Sequence, residues 1–586
     1  MRKTKIICTL GPATDDENVL RKLLLSGMDV ARINMSHGNH NDAKKRIDEV
    51  KKLREELDVP VAVLLDTKGP EIRTGDFSTG PVNLVEGQEF TLTTDDIDGD
   101  ATRCSVTFKS LPRELNNGDR VLIDDGLIEL HVLRCTETDV ICKVINGGAV
   151  SSHKGINIPN VKLSLPFLSD ADKADIAFGV EQDIDFIAAS FTRSANDIML
   201  LRKELKKLGR NDIRICAKIE NHEGIENIDE IIRVSDSIMV ARGDLGVEIP
   251  LEEIPILQKQ IIQKVYEAGK QAITATQMLD SMIKNPRPTR AESTDVANAI
   301  YDGTSAIMLS GETAAGKYPV ESVRTMARIA IKTEQDINYI EKFRKRDIVE
   351  RTDVTSAISH ATCTTAHDLG AVAILTVSKT GQTARMISKY RPECPIICGT
   401  TDPKVRRQMN LSWGVKPIMV EEKDNTDELF THVVDVAQEL GLIQNGDLTV
   451  ITAGVPLGVS GTTNLLKVHL VGDILVSGEP VTKQSVCGRL CVCKNEDEAL
   501  KNFTDGDILV IPKTTNALHL IIRTAKGVIA EEEGVNSHAA IVCLALDKPV
   551  LVGAKNATSI LKSGTVVTLD GNRGTVYSNS PKSINS

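Results

Sequence analysis

Residues 236–278 read DSIMVARGDLGVEIPLEEIPILQKQIIQKVYEAGKQAITATQM, and they contain the unit from which the fold is built. The runs DSIMVARGD and QAITATQM are nearly continuous in apolar residues, as expected of strands that are buried on both faces. Between them, EEIPILQKQIIQKVYEAGK places its apolar residues at helical spacing. The stretch therefore predicts a strand, an amphipathic helix and a second strand.

The same alternation continues in both directions, from Lys3 to about Glu341. Six further runs of this kind are TKIICTL, MDVARINMS, VAVLLDTKG, DIDFIAASF, IRICAKIE and TSAIMLSGE. Eight strand–helix units are typical of a (β/α)8 barrel, whose active site lies at the C-terminal ends of its strands. We expect this barrel to comprise residues 1–69 and 169–343.

Changes in this pattern predict three further domains. Residues 70–168 are rich in Gly, Asp and Asn with short alternating runs, which predicts a small β-barrel domain inserted into the large barrel. Residues 344–473 contain AVAILTVS, PIICGTT and DLTVITAG between helices and predict an α/β three-layer domain. Residues 474–586 predict a β/α domain that begins with a turn-rich junction, LVSGEP, and contains strands DILVIP, GVIAEE, PVLVGA and TVVTLD and one helix after Ser537.

Composition excludes several classes of protein. Acidic residues exceed basic ones by 81 to 70, which argues against a nucleic-acid-binding or anionic-membrane surface. No stretch approaches the ~20 apolar residues of a membrane span. The cysteines lie mostly inside apolar runs, and reduced thiols suggest the cytoplasm. Only Cys487, Cys491 and Cys493 cluster, without the second CxxC or the His pair that would support zinc.

Charged and hydroxyl residues occur at the C-terminal ends of most barrel runs. These residues are Arg32, Asn34 and Ser36; Lys218 and Glu220; Arg242, Gly243 and Asp244; Thr274 and Thr276; and Ser310 and Glu312. A single end of this kind could be an ion pair at the barrel rim, but five such ends favour a functional site. Lys218, Glu220 and Asp244 are expected to converge at the barrel mouth.

Two carboxylates and a lysine in one pocket fit a hard divalent cation beside a phosphate. Mg²⁺ takes one or two protein carboxylates and completes its shell with water and substrate oxygens. A P-loop kinase is excluded because the sequence has no GxxxxGK[ST] motif. The residues alone predict a Mg²⁺-dependent barrel enzyme that acts on a phosphorylated or carboxylate substrate.

Longer segments add a resemblance to a known family. TKIICTLGPAT, ARINMSHG, LLDTKGPEIRTG, AKIEN, VARGDLGVEIP, TATQMLDSM and PTRAESTDVANAIYDGTSAIMLSGETAAGKYPVE together resemble the pyruvate kinases, from Lys3 to about Gly472. The resemblance implies phosphoryl transfer from phosphoenolpyruvate to ADP, giving pyruvate and ATP, with Mg²⁺ (or Mn²⁺) and K⁺. It also implies a cytoplasmic homotetramer, regulation by an allosteric effector, and an inserted domain that closes over the barrel mouth as a lid.

The resemblance further implies roles for individual residues. Arg32 would contact the transferring phosphoryl group, and Lys218 would stabilise the transition state. Glu220 and Asp244 would hold the Mg²⁺. Arg73 and Lys154 would contact the nucleotide, and a monovalent cation would be held by Asn34, Ser36, Asp66 and Thr67.

The substrate carboxylate would accept hydrogen bonds from the backbone N–H groups of Gly243 and Asp244 and from the hydroxyl of Thr276. Protonation of the enolate is left open among Thr276, Ser310 and Glu312. Two other functions use the same pocket chemistry: a non-catalytic metabolite sensor, and an enolate-forming Mg²⁺ barrel enzyme that breaks C–C bonds. The latter class lacks the TKGPEIRTG segment and the β insert.

Two further features concern regulation. In the family, a glutamate at the position of Glu71 accompanies K⁺ dependence and a lysine accompanies independence; the alternative is a salt bridge at the lid hinge. The loop Ser378, Lys379, Thr380, Gly381, Gln382 and Thr383 resembles the loop that holds a sugar phosphate in allosteric members. The later segment AGVPLGVSGTTN lacks the Trp and Arg of fructose-bisphosphate-binding members, which favours a sugar monophosphate or AMP; the alternative is an ordinary strand–helix turn.

The tail GVNSHAAIVCLALDKPVLVGA resembles the swivelling phosphohistidine domain of pyruvate phosphate dikinase and of enzyme I of the sugar phosphotransferase system. In those proteins, the histidine at the position of His538 accepts a phosphoryl group. Here Gly-Gly is replaced by Gly534-Val535 and the usual Thr by Asn536, and the partner domains are missing from this sequence. We therefore expect a structural or regulatory role for the tail.

Overall fold

The computed structural model describes residues 1–345, 353–423, 425–454, 463–472 and 474–578. The chain divides into two compact units. One comprises Met1–Cys363, Thr376–Glu421 and Ala453–Asn464; the other comprises Thr364–Leu375, Glu422–Thr452 and Leu465–Ser586.

The large barrel begins with two strand–helix units and a third strand. They are β1 (Lys5–Thr9), α1 (Glu17–Ser26), β2 (Val30–Asn34), α2 (His40–Glu56) and β3 (Ala62–Asp66). The helix starts are specified locally, because the Asp16 side chain accepts from the N–H groups of Asn18 and Val19 at the start of α1. Gly27 ends α1 in the left-handed conformation, with a φ of 117° that favours glycine.

The chain then forms the inserted domain. Its elements are β4 (Ile72–Arg73), β5 (Val82–Leu84), β6 (Glu89–Thr93), β7 (Arg103–Ser105), α3 (Leu111–Glu114), β8 (Arg120–Ile123), β9 (Ile128–Cys135), β10 (Asp139–Asn146), β11 (Gly148–Val150) and β12 (Gly155–Asn157). The main sheet has the order β4-β12-β8-β9-β10-β6-β7, and β5 pairs separately with β11. A bridge between Thr74 and Val106 joins the two outer strands of the main sheet. The sheet therefore closes, which confirms the predicted small β-barrel.

The rest of the large barrel follows. Its elements are α4 (Asp170–Glu181), β13 (Phe186–Ala189), α5 (Ala195–Lys207), β14 (Arg214–Ile219), α6 (His222–Glu226), α7 (Ile228–Val234), β15 (Ser237–Ala241), α8 (Arg242–Glu248), α9 (Ile254–Glu267), β16 (Gln271–Ala275), α10 (Arg290–Asp302), β17 (Ala306–Leu309), α11 (Gly311–Ala314), α12 (Pro319–Asp336) and α13 (Tyr339–Lys345). Within residues 1–345, which are described without a gap, eight strands close a barrel in the order β1-β17-β16-β15-β14-β13-β3-β2. Each strand lies in one of the predicted apolar runs, and the (β/α)8 prediction is confirmed.

The α/β domain follows α13. Its elements are α14 (Val354–Asp368), β18 (Ala373–Val377), α15 (Gln382–Lys389), β19 (Ile396–Thr400), α16 (Pro403–Met409), β20 (Val415–Met419), α17 (Thr426–Glu439), β21 (Leu448–Gly454) and β22 (Thr463–Leu470). The sheet has the order β20-β19-β18-β21-β22. The predicted strands are β18, β19 and β21. The outer strands β20 and β22 were not predicted, and most residues of β22 are at least partly exposed, so its sequence lacks a continuous apolar run.

The C-terminal domain begins at Ile474. Its elements are β23 (Ile474–Ser477), β24 (Glu479–Pro480), β25 (Ser485–Val492), α18 (Glu496–Asn502), β26 (Ile508–Ile511), α19 (His519–Thr524), β27 (Gly527–Ala530), α20 (His538–Ala545), β28 (Val550–Val552), α21 (Ala557–Ile560), β29 (Val566–Asp570) and β30 (Thr575–Ser578). The strand order is β23-β30-β29-β25-β26-β27-β28-β24. The four predicted strands and the helix after Ser537 are present.

The prediction that LVSGEP is a turn-rich junction was wrong. Residues of this segment form β23, which pairs with β30, and β24, which pairs with β28. Both strands lie at the outer edges of the sheet order, where a proline that lacks an N–H is tolerated. Among the residues that the structure describes, no helix is both long enough and apolar enough to span a membrane.

Candidate active site

A cavity of about 760 Å³ lies at the C-terminal ends of the barrel strands and is lined by residues of both the barrel and the insert. Eight of the predicted site residues line it: Arg32, Asn34, Ser36, Arg73, Lys154, Lys218, Glu220 and Asp244. Residues far apart in the sequence therefore meet at the barrel mouth, as the strand-end rule predicts.

Lys218 is the centre of a buried cluster of charges. Its Nζ lies 2.8 Å from Glu220 Oε1 and 3.2 Å from Asp66 Oδ1. Asp66 Oδ2 accepts a hydrogen bond of 2.6 Å from Arg32 Nε. Burial alone would lower the pKa of Lys218, but Asp66 and Glu220 outweigh burial and raise it above its ordinary value. The lysine therefore keeps its positive charge inside the barrel.

Asp66 holds the two positively charged side chains, Arg32 and Lys218, in place. Its side chain is fully buried, and it also accepts a hydrogen bond of 3.0 Å from Ser190 Oγ. Burial opposes ionisation of Asp66, but Arg32 and Lys218 hold its pKa below the ordinary value. Lys218 Nζ in turn donates to Ser190 Oγ at 2.8 Å. Asp66, Ser190 and Lys218 thus contact one another at the ends of three adjacent strands.

Glu220 and Asp244 form the candidate metal site. Burial raises the pKa of Glu220 to about 7, although Lys218 opposes this, and burial also raises the pKa of Asp244. Each of the two carboxyl groups is near enough to influence the pKa of the other. Among the described residues, no group of three or more His, Cys, Asp and Glu side chains is arranged to hold a metal ion. The pair fits Mg²⁺, which takes one or two protein carboxylates and completes its shell with water and substrate oxygens.

A strained turn lies beside Asp244. Thr276 and Gln277 follow β16 with positive φ angles of 67° and 53°. The Thr276 hydroxyl accepts a hydrogen bond of 2.7 Å from the backbone N–H of Gly243, in the first turn of α8. Arg242 fixes the turn by donating to the Thr276 carbonyl at 2.8 Å. Backbone strain of this kind is often found at functional sites.

Six other predicted residues do not line the cavity: Asp66, Thr67, Gly243, Thr276, Ser310 and Glu312. Glu312 is buried and accepts hydrogen bonds from the backbone N–H groups of Ser310 at 2.7 Å and of Leu279 at 3.0 Å. The Glu312 carboxylate therefore stabilises the two turns that contain Ser310 and Leu279. Ser310 Oγ is buried with no hydrogen-bond partner among the described residues.

The residues predicted for the monovalent cation are only partly grouped. Asn34 and Ser36 line the cavity, and Asn34 Oδ1 accepts from the Ser36 N–H at 3.1 Å. Asn34 lies opposite Asp66 in the β2–β3 register. The Thr67 hydroxyl is directed to the Ala188 carbonyl at 3.2 Å.

The insert contributes the residues predicted for the nucleotide. Arg73 forms an ion pair with Glu71 at 2.6 Å and donates to the His153 carbonyl at 2.7 Å. Lys154 Nζ lies 2.8 Å from Asp124 Oδ1. Glu71 therefore forms a salt bridge, as its alternative interpretation requires, and its link to K⁺ dependence stays a prediction.

Several cavity residues were missed from the sequence. Ser190 ends the run DIDFIAASF, so the rule that identified Lys218 could have identified it. Glu248 follows Asp244 by one turn of α8 and therefore lies on the same face of the helix. Asn157 of the insert lies beside it and opposes a rise in its pKa, but burial outweighs this and raises the pKa to about 7. No motif identified it, because the contact joins two domains.

Comparison with known proteins agrees with this geometry. Residues 1–323 match the model of the pyruvate kinase barrel domain, 356–469 that of the pyruvate kinase alpha/beta domain, and 503–574 that of the mobile domain of PEP-utilising enzymes. A pyruvate kinase from Sporosarcina psychrophila is 47% identical over 582 residues, which cover 98% of this chain and 99% of the relative.

The chain belongs to the pyruvate kinase family of phosphotransferases.

Two other members of the family define the extent of the similarity. The pyruvate kinase of Clostridium acetobutylicum is 52% identical over 472 residues, which are 80% of this chain and 100% of the relative. A crystal structure of a pyruvate kinase from Cryptosporidium parvum has a TM-score of 0.76 and 39% identity, and the match covers 80% of this chain and 96% of that one. These two pyruvate kinases match only part of this chain, whereas the alignment with the Sporosarcina protein includes the C-terminal domain.

The loop predicted to hold an effector opens α15. Gly381 has a φ of 72°, which favours glycine, and a Cβ there would require the Met409 side chain to move. Arg385 donates to the Thr380 carbonyl at 3.1 Å and to Gln382 Oε1 at 2.9 Å. Burial lowers the pKa of Arg385 to about 10. The segment AGVPLGVSGTTN falls largely on residues 455–462, which lie outside the described residues.

His538 is the first residue of α20 in the C-terminal domain. Its Nδ1 lies 2.8 Å from Thr514 Oγ1, and its Nε2 lies 3.0 Å from Asn516 Oδ1. Glu532 accepts from the backbone N–H of Ala539 at 3.1 Å. Both ring nitrogens therefore contact uncharged side chains.

Proposed function

We propose that the chain transfers the phosphoryl group of phosphoenolpyruvate to ADP, giving pyruvate and ATP, which is the final step of glycolysis. One observation carries the proposal. Arg32, Asp66, Lys218 and Glu220 form a buried charge cluster beside Asp244, in a cavity that Arg73 and Lys154 line from the insert. This arrangement suits positioning and charge stabilisation of a phosphoryl group, which supply most of the catalysis in such reactions.

In this proposal, Glu220 and Asp244 hold Mg²⁺ or Mn²⁺, and the ion neutralises charge on the substrate oxygens when it is bound. Lys218 supplies a fixed positive charge to the phosphoryl group in flight, since Asp66 and Glu220 keep it protonated. Arg32 offers its guanidinium to the same group while Asp66 holds its Nε. Arg32, Asp66 and Lys218 are already linked by ion pairs without a bound substrate. These three side chains therefore need little reorganisation when the substrate binds.

The substrate carboxylate is proposed to bind the N–H groups of Gly243 and Asp244 in the first turn of α8 and the Thr276 hydroxyl beside them. Of the three candidates for enolate protonation, only Thr276 contacts this turn; its hydroxyl accepts from the Gly243 N–H and donates to the Ala275 carbonyl at 2.6 Å, so it would have to exchange these partners to reach the substrate. Ser310 and Glu312 are proposed to support the site from outside the cavity, because Glu312 is occupied by backbone donors.

The nucleotide is proposed to bind Arg73 and Lys154, and K⁺ to bind near Asn34 and Ser36 with Asp66 and Thr67 behind them. Closure of the insert over the mouth would exclude water from the reaction. The contact between Glu248 and Asn157 joins the insert to the helix that bears Asp244.

Regulation and assembly belong to the same proposal. The loop Ser378–Thr383 is proposed to bind a phosphorylated effector, a sugar monophosphate or AMP, since its backbone opens a helix at Gly381. The assembly is proposed to be a homotetramer in the cytoplasm. The C-terminal domain is proposed to serve stability or regulation.

The test is pyruvate formation by the purified full-length chain from phosphoenolpyruvate, ADP, Mg²⁺ and K⁺. We expect pyruvate and ATP to form in equal amounts, and neither to form when ADP is omitted. Binding of phosphoenolpyruvate without turnover would support a metabolite sensor. Cleavage of a C–C bond without any ADP requirement would support an enolate-forming barrel enzyme.

A further inference from the structure

Asp185 lies at the opposite end of the barrel strands from the active site. It is fully buried and directly precedes β13. Its Oδ2 accepts from the backbone N–H of Val63 in β3 at 2.8 Å, and its carbonyl accepts from the N–H of Arg214, the first residue of β14, at 3.1 Å. One residue therefore connects the N-terminal ends of three adjacent strands, β3, β13 and β14.

Helix α16 of the α/β domain binds the same residue. Arg407 Nε donates to Asp185 Oδ1 at 2.8 Å, and Gln408 Nε2 donates to the Asp185 carbonyl at 3.2 Å. Lys404 extends the contact to the segment before β14, with its Nζ 2.6 Å from Asp212 Oδ2. Successive polar side chains of one short helix thus hold the strand ends.

The other ends of these three strands carry the catalytic cluster. Asp66 ends β3, Ser190 follows β13, and Lys218 lies near the end of β14. Val63 and Asp66 are only three residues apart, which is about 10 Å at about 3.3 Å per residue. Because β-strands in a packed barrel are stiff, a shift at Asp185 moves the residues at the mouth.

We infer that Arg407 and Asp185 are positioning residues for the phosphoryl-transfer site, and that α16 sets the relative placement of Asp66, Ser190 and Lys218 through the strands between them. The inference rests on the function proposed above for that site.

The chemistry of the pair supports a role beyond stability. Burial raises the pKa of Asp185 even though Arg407 and Arg54 lie beside it. A buried ion pair is costly to desolvate and often contributes little net stability compared with apolar packing. Arg407 approaches through Nε and Arg54 lies 3.9 Å away, so the direction of the carboxylate is fixed.

Arg406 offers a matched control on the same helix. It pairs with Asp58 at 2.7 Å, and the Asp58 side chain is exposed. This contact joins α16 to the loop after α2 and does not reach β3, β13 or β14. Loss of Arg406 therefore removes a charge and an ion pair from α16 without releasing the strand ends.

The experiment compares Arg407→Met, Arg407→Lys and Arg406→Met in the full-length chain. We expect Arg407→Met to lower kcat by about tenfold to 10²-fold, the scale for misplacing reacting groups by about 1 Å, with a smaller change in KM for phosphoenolpyruvate. Arg407→Lys, which keeps the charge, should recover part of kcat, and Arg406→Met should match the wild type. Hydrogen exchange should accelerate at β3, β13 and β14 in Arg407→Met only.

The results that would overturn this inference differ from those that would contradict the proposed function. A folded Arg407→Met with wild-type kcat and exchange would overturn the inference, and so would equal losses in Arg406→Met. If Arg407→Met does not fold, Asp185→Asn and Arg407→Lys decide the question by the same two measurements. Inactivity of the wild type would contradict the proposed function instead, and the exchange comparison would still test the mechanical link.

Discussion

The barrel mouth and the His538 site both resemble phosphoryl-handling sites, but they differ in what surrounds the reactive group. At the mouth, Lys218 is buried against two carboxylates that fix its charge and position. In the C-terminal domain, His538 is partly exposed and contacts Thr514 and Asn516, which carry no charge. Forming the barrel-mouth site requires the burial of charged side chains, which costs free energy, whereas forming the His538 site does not.

This difference is informative because buried charges are expensive unless they are paired, so a chain that keeps several of them in one cavity uses them. A histidine with two neutral neighbours at the surface carries no such cost. The departures from the phosphohistidine motif at Gly534-Val535 and Asn536 and the energetics of charge burial both favour the barrel mouth as the site of chemistry.

The largest expected effect comes from Lys218→Met. It should lower kcat by about 10²–10⁴-fold, the usual scale for loss of one transition-state charge partner. Binding of Mn²⁺, measured by electron paramagnetic resonance, should be largely retained because Glu220 and Asp244 remain. A variant with near-normal turnover would remove Lys218 from the mechanism and weaken the contrast between the two sites.

Glu71 tests whether the mouth needs a monovalent cation. We expect the wild type to be activated by K⁺ and Glu71→Lys to be independent of it, because an ammonium group can replace the ion. Glu71→Gln removes the ion pair with Arg73 without supplying a cation, so it should remain K⁺-dependent. Full wild-type activity in buffer free of K⁺ and NH₄⁺ would leave Glu71 as a hinge salt bridge only.

The effector loop should give a smaller effect, on regulation rather than on chemistry. Lys379→Glu and Thr380→Ala should weaken activation by a sugar monophosphate or AMP while the activity without effector stays close to the wild type. Activity titrations with each ligand measure this. If both variants keep every response to sugar phosphates and nucleotides, the effector binds elsewhere.

The sequence predicts the barrel well and the site less evenly. All barrel strands could be predicted because each is buried on both faces and reads as an apolar run. Ser310 and Glu312 were selected because they follow β17, but the chain turns there into α11, and Glu312 is directed at backbone N–H groups. The position of a residue at a strand end does not by itself show whether its side chain lines the cavity or stabilises a neighbouring turn.

Contacts between distant segments set the remaining limit. The pair Arg407 and Asp185 is separated by 222 positions, and Glu248 meets Asn157 across two domains. Neither pair has a local pattern, because the register of helices against strands is decided by packing. The prediction of a turn-rich junction at LVSGEP was wrong for a related reason. Edge strands tolerate the glycine and proline that locally indicate a turn.

A truncation that tests the role of the C-terminal domain has to begin before Ile474, because β23 and β24 belong to the C-terminal sheet. A truncation after Gly472 removes the sheet whole. It should lower the thermal unfolding temperature, since Asn445 of the α/β domain donates to the Ser578 carbonyl at 2.7 Å. Pyruvate formation should remain, because every residue that lines the candidate active-site cavity precedes the truncation.

The smallest effect is expected for His538→Ala, which should leave kcat and KM for phosphoenolpyruvate nearly unchanged. A histidine that accepts a phosphoryl group needs a nitrogen with a free lone pair directed at the donor. Here both ring nitrogens already have partners, since Nδ1 lies 2.8 Å from Thr514 Oγ1, which also contacts Glu532, and Nε2 lies 3.0 Å from Asn516 Oδ1. Asn516→Ala should therefore be as silent as His538→Ala. Acid-labile, base-stable ³²P on His538 after incubation with labelled phosphoenolpyruvate would contradict this and make the C-terminal domain a second site of chemistry.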